Sequence, residues 1–347
     1  MANAKYYDGT KLLSLSDING EKPAIYICTS NRSAGKTTYF NRLAVNKFKK
    51  ENEKFCLMYR FKYELAEVSD KFFKDIKSLF FPDDDLTSES AGMGAYYNLY
   101  LNGKHCGYAV SLNSADQIKK YSHLLSDIQR IIFDEFQSET NSYCQNEVAK
   151  FISIYKSIAR GHGEQSRYVP VYMISNPVSV LNPYYVEMGI TQRLTNDVNF
   201  LRGNGWVLEQ GHNEAAEEAQ NNSAFAKAFQ NNDYIKYSAS GNYLLDNNAF
   251  IEKISGKSRY LCTLKYANKE YAIREYSEQG ILYCDDTVDP KFPFKISVDT
   301  NDHQINYVML QRSNYIIQSM RNIFEKGRFR FKNIQCKEVI IKMLCYH

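Results

Sequence analysis

No apolar run in this 347-residue chain approaches the roughly 20 residues that a membrane-crossing helix needs. Its first eight residues also lack the apolar centre of a secretory signal. A soluble, intracellular protein with no membrane partner is the expectation. Paired cysteines are missing as well. The eight present, Cys28, Cys56, Cys106, Cys144, Cys262, Cys284, Cys336 and Cys345, contain no Cys-x-x-Cys spacing and mostly fall inside apolar runs. Neither a zinc site nor a disulfide frame is indicated, and reduced, packed thiols are expected. Charge of one sign is scarce too: the net +4 is too mild to identify a nucleic-acid binder alone. Cations do gather in the last forty-odd residues, where Arg312, Arg321, Lys326, Arg328, Arg330, Lys332, Lys337 and Lys342 face only Glu325 and Glu338.

A further absence falls inside the most informative segment. The run Ala24-Ile-Tyr-Ile-Cys-Thr29 leads through a short polar loop to Gly35-Lys36-Thr37 at the start of a helical pattern. This is the layout of a phosphate-binding loop, Gly-x-x-x-x-Gly-Lys-[Ser/Thr], except that Ser30 stands where the first glycine belongs. Loop N–H groups from Ser30 to Gly35 can cradle phosphates, and Lys36 can reach the β- and γ-phosphates. Thr37, with Thr38 beside it, offers a hydroxyl towards Mg²⁺. Ser30 fits only if its backbone angles suit a residue with a Cβ.

About a hundred residues on, Ile128-Gln-Arg-Ile-Ile-Phe-Asp134-Glu135 ends an apolar run in two acids. A buried parallel strand delivers such acids to the carboxyl edge of a sheet, where these folds bind ligands. Asp134 is the candidate Mg²⁺ holder, and Glu135 the acid that polarises the attacking water. A solvated Asp-Glu turn is the plain alternative.

From 24 to about 202, apolar runs at 24–29, 55–60, 130–133 and 169–175 alternate with helical patterns, which predicts an α/β domain with a largely parallel sheet. Asn102-Gly103 between two alternating arms predicts a tight hairpin, and Asp83-Asp84-Asp85 reads as a solvated loop. The Glu-, Gln-, Asn- and Ala-rich stretch 207–248 reads as a helical connector, so the expected domains are 1–206 and 249–347. In the latter, 258–266, 270–276 and 281–284 predict an antiparallel meander. An amphipathic helix is expected from 305 to about 324, stopped by Gly327. Arg328-Phe-Arg330-Phe-Lys332 alternates with period two and sets three basic side chains on one strand face. That face is either solvated or a nucleic-acid surface.

Several segments, in order and spacing, resemble the DNA-packaging ATPases of phi29-like tailed phages. They are Arg60-Phe-Lys-Tyr-Glu-Leu-Ala-Glu-Val68, Asn102-Gly103-Lys104, Phe133-Asp134-Glu135-Phe136, Asn146-Glu147-Val148 and 175–184. The resemblance spans most of the chain. It implies an ASCE, RecA-like P-loop NTPase domain, a linker, and a ribonuclease-H-like carboxyl-terminal domain without a working nuclease centre. It implies ATP and Mg²⁺ as cofactors and, as partners, double-stranded viral DNA and the procapsid portal, with a packaging RNA as a further candidate. A homo-oligomeric ring of five subunits would work in the host cytoplasm, transiently at the portal.

Residue by residue, it places Lys36 and Thr37 on the family's phosphate loop and Arg32 on an arginine within it. Asp134 and Glu135 fall on its metal-binding and catalytic acids, Asn176 on a γ-phosphate sensor, and Arg160 on an arginine finger acting on a neighbour. Lys62, Lys119 and Lys120 fall on DNA-channel cations. By residue type alone, Arg160 reads as a helix-end cation, Asn176 as a turn cap, and the lysines as solvated surface. An extra segment, 161–166, lengthens the loop after Arg160. Two other functions stay open at this stage: a helicase or replication ATPase on single strands, and a scaffold that binds nucleotide without turnover.

Overall fold

The computed structural model describes residues 6–65, 76–121, 123–140, 142–160, 165–191, 193–194, 198–229, 250–310 and 314–345. The chain forms two compact units, Met1–Leu245 and Asp246–His347. Seven of the cysteines are described in full, and all are buried and unbridged. Among the described residues no helix is long and apolar enough to cross a membrane.

The first unit is built on one nine-stranded sheet. The four apolar runs expected as strands form β1 (Ile25–Thr29), β2 (Lys54–Tyr59), β6 (Ile128–Asp134) and β7 (Val171–Ser175). They are buried along nearly their whole length, as parallel strands with both faces covered must be. Hairpin strands β4 (Tyr96–Leu101) and β5 (Lys104–Ser111) flank Asn102 and Gly103, whose φ values of 50° and 73° make the left-handed turn that this dipeptide favours. Three further strands complete the sheet: β3 (Leu86–Ala91), β8 (Phe200–Gly203) and β9 (Trp206–Gln210).

The order is β3-β4-β5-β2-β6-β7-β1-β9-β8. From β5 to β9 every neighbour is parallel, and the antiparallel strands β3, β4 and β8 lie at the edges. Strand β7 is thus inserted between β1 and β6. Their register, Thr29 opposite Ser175 and Asp134 opposite Ile174, ends all three at one level.

β9 corrects the expected domain limit. Residues 207–210, assigned to the connector, pair with β1 in the sheet, with Val207 and Leu208 fully buried. The polar stretch after it does form helices, Glu214–Asn221 and Ala224–Ala228, before the described residues break off at 229. In the Asp triplet, Asp84 pairs with Lys49 at 2.5 Å and accepts from Asn102 Nδ2 at 2.7 Å, as a solvated loop can.

Numbering the helices used below in chain order, α1 is Lys36–Glu51, α2 Glu147–Ala159 and α3 Glu214–Asn221. The second unit adds α4 (Tyr315–Glu325) and α5 (Ile334–Cys345). They accompany a meander of β10 (Arg259–Tyr266), β11 (Lys269–Tyr276) and β12 (Ile281–Asp285), which gains parallel edge strands β13 (Lys295–Ser297) and β14 (Phe329–Phe331). The helix expected from 305 starts only at Tyr315, where Asn314 accepts the Ile316 N–H at 2.9 Å. Upstream, Val308 exchanges backbone bonds with Lys295 and Ser297 and lies along the sheet edge instead. Gly327, at φ 66°, does end the helix.

Close strand approach generates a test. A Cβ at Gly107 in β5 would sit 1.9 Å from the Phe55 carbonyl oxygen of β2. Gly107→Ala must force these strands apart and should cost about 2–3 kcal/mol, read as a lower urea midpoint. An unchanged midpoint would contradict the strand pairing.

Candidate nucleotide site

The loop between β1 and α1 holds its shape through three local features. Gly35 takes φ 96° at the helix N-cap, Ser33 takes φ 61°, and Ser30 is buried. Ser30 is not among the left-handed residues, so its Cβ carries no backbone penalty there. The strain that a non-glycine loop must carry falls on Ser33 instead.

Lys36 is buried and turned back across the loop. Its Nζ donates to the carbonyls of Ser30 at 2.9 Å and Asn31 at 3.2 Å, and to Asn176 Oδ1 at 3.2 Å. Burial lowers the pKa of its ammonium; Cys28 and Asp134 oppose the shift, and Arg32 adds to it. Asn176 follows directly on β7, so the inserted strand sets it between the loop and the acids of β6. Gln137 fixes the segment beyond by accepting the N–H groups of Val178 and Ser179, both at 2.9 Å.

Asp134 ends β6 half-buried. Burial first, then the neighbouring Glu135 carboxylate, raise its pKa to about 6, against hydrogen bonds from the Thr37 hydroxyl and the Glu135 N–H and against the Lys36 charge. Glu135 is exposed and sits at φ 52°, a left-handed conformation uncommon for a residue with a Cβ. The Arg60 guanidinium holds this turn, donating to the carbonyls of Glu135 at 3.2 Å and Phe136 at 2.7 Å. Arg60 also grips Glu147, at the head of α2, through Nε at 3.0 and 3.1 Å. Both partners are buried, and Tyr184 Oη and the Cys144 N–H complete the carboxylate.

The structure therefore gathers Lys36, Thr37, Asp134 and Asn176, with Glu135 beside them. Arg32 joins them through an ion pair with Glu139, whose Oε1 also lies 3.5 Å from Asn176 Nδ2. Sequence reasoning assigned no role to Arg60, Gln137, Glu139 or Glu147. Nothing in the sequence around Arg60 or Glu147 marks them as a buried pair, because charged and polar residues flank both.

The connector helix α3 is seated on the same loop. Asn31 and Asn213 exchange two bonds, Nδ2 to carbonyl at 3.0 Å and backbone N–H to Oδ1 at 2.9 Å, while Gln220 Nε2 donates to the Arg32 carbonyl at 2.8 Å. A cavity of about 350 Å³ lies against the loop, bounded by Tyr6, Tyr7, Ser30, Ala34, Glu209 and Asn213 among others.

Arg160 is not brought to this site. It is the exposed C-cap residue of α2, in extended conformation. Arg167 Nη2 ties that end of the helix, at Ile158, to Ile128, the first residue of β6, with bonds of 2.8 and 2.6 Å. Asp134 stands at the other end of that strand, ~20 Å away at 3.3 Å per residue. The base of the lengthened loop after Arg160 is closed by the Arg167 N–H on the Ala159 carbonyl at 2.9 Å; 161–164 lie outside the described residues.

Of the cations that the resemblance assigns to a DNA channel, Lys62, Lys119 and Lys120 are exposed, and Lys62 Nζ donates to the Met93 carbonyl at 3.1 Å. In the second unit Arg328, Arg330 and Lys332 share one face of β14, with Phe329 and Phe331 buried beneath. That face is less open than the sequence suggests: Arg330 pairs with Glu252 at 2.5 Å and Lys332 with Asp286. Asp285 is likewise held by Arg274 at 2.8 Å, and no acid cluster able to hold a metal occurs among the described residues.

Comparison with known proteins bears on the family and the fold. A family model described as podovirus DNA encapsidation protein (Gp16) matches residues 1–346. The DNA packaging proteins of Bacillus phages PZA and phi29 are each 26% identical over 337 residues, 96% of this chain and 95% of theirs. The fold is similar to that of a chain in the bacteriophage Phi-29 viral genome packaging motor assembly, at a TM-score of 0.69 and 24% identity, covering 98% of this chain and 100% of that one. A chain of the Phi-28 gp11 DNA packaging motor matches at a TM-score of 0.61 and 16% identity, with 99% of each covered.

The raised Asp134 pKa fixes the sign of a pH effect in the metal-free chain. Its folded value, about 6, exceeds the ordinary 3.8, so the folded state binds the proton more tightly. The stability this contributes is present below pH 4 and is lost as pH rises through 6. Relative to Asp134→Asn, the wild type should lose on the order of 2 kcal/mol between these limits. Parallel denaturation midpoints for the two proteins from pH 4 to 7 would refute it.

Proposed function

The chain belongs to the podovirus DNA encapsidation protein family, and on that premise we propose that it hydrolyses ATP to drive double-stranded phage DNA through a portal into a procapsid. The observation carrying this reading is the convergence of Lys36, Thr37, Asp134 and Asn176 at the ends of three adjacent strands.

The phosphates lie on the loop, whose left-handed residues Ser33 and Gly35 suit a concave run of N–H groups. Lys36 exchanges its loop carbonyls for phosphate oxygens. Asn176, already on Nζ, is placed to follow the γ-phosphate. The base and ribose occupy the cavity beside Tyr7 and Asn213. Thr37 and Asp134, two hydrogen-bonded oxygen groups at the sheet edge, fit a hard cation, and would hold Mg²⁺. When bound, that ion supplies neutralising charge on the phosphate oxygens.

Glu135 faces solvent at that edge and polarises the attacking water, with its turn held by Arg60. Arg160 serves a neighbour's site, because it stands at the opposite edge of its own sheet. Such a division suits a ring docked on the portal. Lys62, Lys119 and Lys120 grip phosphates, which carry no sequence information and so allow any genome to pass.

Lys36→Ala should abolish nucleotide binding, whereas Glu135→Gln should retain ATP and lose turnover, by ~10²–10⁴-fold if only the water-polarising acid is removed. Fluorescent-nucleotide titration together with phosphate release in the presence of duplex DNA separates the two. Equal loss of binding in both variants would overturn the assigned roles.

A further inference from the structure

One exposed apolar side chain stands among the cations assigned to DNA. Between β3 and β4 the chain turns through Gly92, Met93 and Gly94, at φ 56°, 57° and 76°. Three successive left-handed residues are costly except at glycine, and the middle one is a methionine. Asparagine or glycine would take that position with less strain, and a polar residue would suit a merely solvated tip. Met93 is instead 92% exposed, with its side chain projecting from the turn.

The surroundings hold this turn in place. Lys62 reaches over it to bond the Met93 carbonyl at 3.1 Å, and a side chain at Gly94 would lie 3.2 Å from Lys62 Cε. On the other side the Tyr121 ring packs against Gly92, where an added Cβ would meet it at 3.2 Å, and stands 5.3 Å from the Tyr96 ring. Tyr121 directly follows Lys119 and Lys120. Lys62 thus lies at the Gly94 end of the tip, and Tyr121, which the chain reaches directly after Lys119 and Lys120, lies at its Gly92 end. Lys119 shares an ion pair with exposed Asp116 at 3.3 Å, of a kind that contributes little and is readily exchanged for phosphate. β4 begins opposite Val110, near the end of β5, and Tyr59 pairs with Ser111. The tip therefore lies on the carboxyl edge of the sheet, the edge that carries the nucleotide loop.

We propose that the 91–95 turn is a DNA-contacting tip, with Met93 entering a groove of the duplex while Lys62, Lys119 and Lys120 neutralise the phosphates on either side. An apolar centre between cations matches a groove floor between two rows of phosphates, and methionine is among the side chains that make such contacts. The contact reads no base pattern, as a sequence-tolerant grip requires. This inference rests on the DNA-translocating reading above and adds to it a residue that does not act through charge.

The test uses the full chain and a short blunt DNA duplex, with a diazirine amino acid in place of Met93 for photocrosslinking and with Met93→Ala for affinity. Position 93 should crosslink to the duplex. Met93→Ala should weaken duplex binding roughly 10-fold, leaving nucleotide binding and the salt dependence unchanged. Lys62→Ala should instead lower the log–log salt slope by ~0.9. Duplex binding with that lysine-dependent slope, but with no crosslink at 93 and full affinity in Met93→Ala, would overturn the tip and leave the DNA reading standing. Crosslinks only to protein, a second copy included, would do the same. Failure of the wild type to bind duplex at any salt, with a non-hydrolysable ATP analogue present, would overturn both.

Discussion

The buried ion pair of Arg60 and Glu147 is the interaction on which the other parts of the first unit depend. Removing either partner leaves the other charge buried and uncompensated, a loss on the order of 3–5 kcal/mol. The pair does more than fill the interior. Arg60 holds the carbonyls of Glu135 and Phe136, Glu147 heads the helix that ends at Arg160, and Lys62 lies two residues beyond Arg60. One guanidinium therefore links the strained turn of the proposed catalytic acid, the helix that delivers the proposed finger, and the segment that braces the Met93 tip. A shift of this group on ATP turnover would be felt at all three.

Strand register supplies the second constraint. Because β1, β7 and β6 end level, Lys36, Asn176 and Asp134 meet at the carboxyl edge, and α2 runs back to the amino edge, where Arg167 pins its end to Ile128. The fold thus separates Arg160 from its own chain's 30–37 loop by about the length of a strand. In the proposed mechanism Arg160 therefore acts on a neighbouring chain's site, which makes oligomerisation a catalytic requirement of that mechanism. The loop is also tied outward: Asn31 and Arg32 bond the connector helix α3 through Asn213 and Gln220. A change at the phosphates has a direct path of hydrogen bonds into the segment that leads out of the first unit.

Much of this was legible in the sequence where an apolar run ends in a chemical residue. Strands β1, β2, β6 and β7 announce themselves in that way, and Asn102-Gly103 specifies its turn by backbone preference alone. The misses have physical causes. β3, Leu-Thr-Ser-Glu-Ser-Ala, is an edge strand paired on one side and half in water, so it carries no apolar signature. β9 is short and borders a polar stretch, and only its pairing with β1 reveals it. The basic face of β14 was read from its own strand, whereas Glu252 and Asp286, which partly neutralise it, come from distant segments. Ser30 could not be judged from sequence, because its fitness depends on a backbone angle; the loop places the left-handed residue at Ser33.

The central claim is that each nucleotide site is shared between two chains, and mixing two inactive variants tests it most directly. Arg160→Ala keeps an intact Glu135 site, and Glu135→Gln keeps an intact Arg160. A boundary that joins both intact groups exists only in a mixed assembly. Phosphate release should be low for each variant alone, with Arg160→Ala reduced by ~10³-fold or more, and should return in part on mixing. Wild-type turnover by Arg160→Ala alone, or no recovery in assemblies verified to contain both variants, would contradict the shared site.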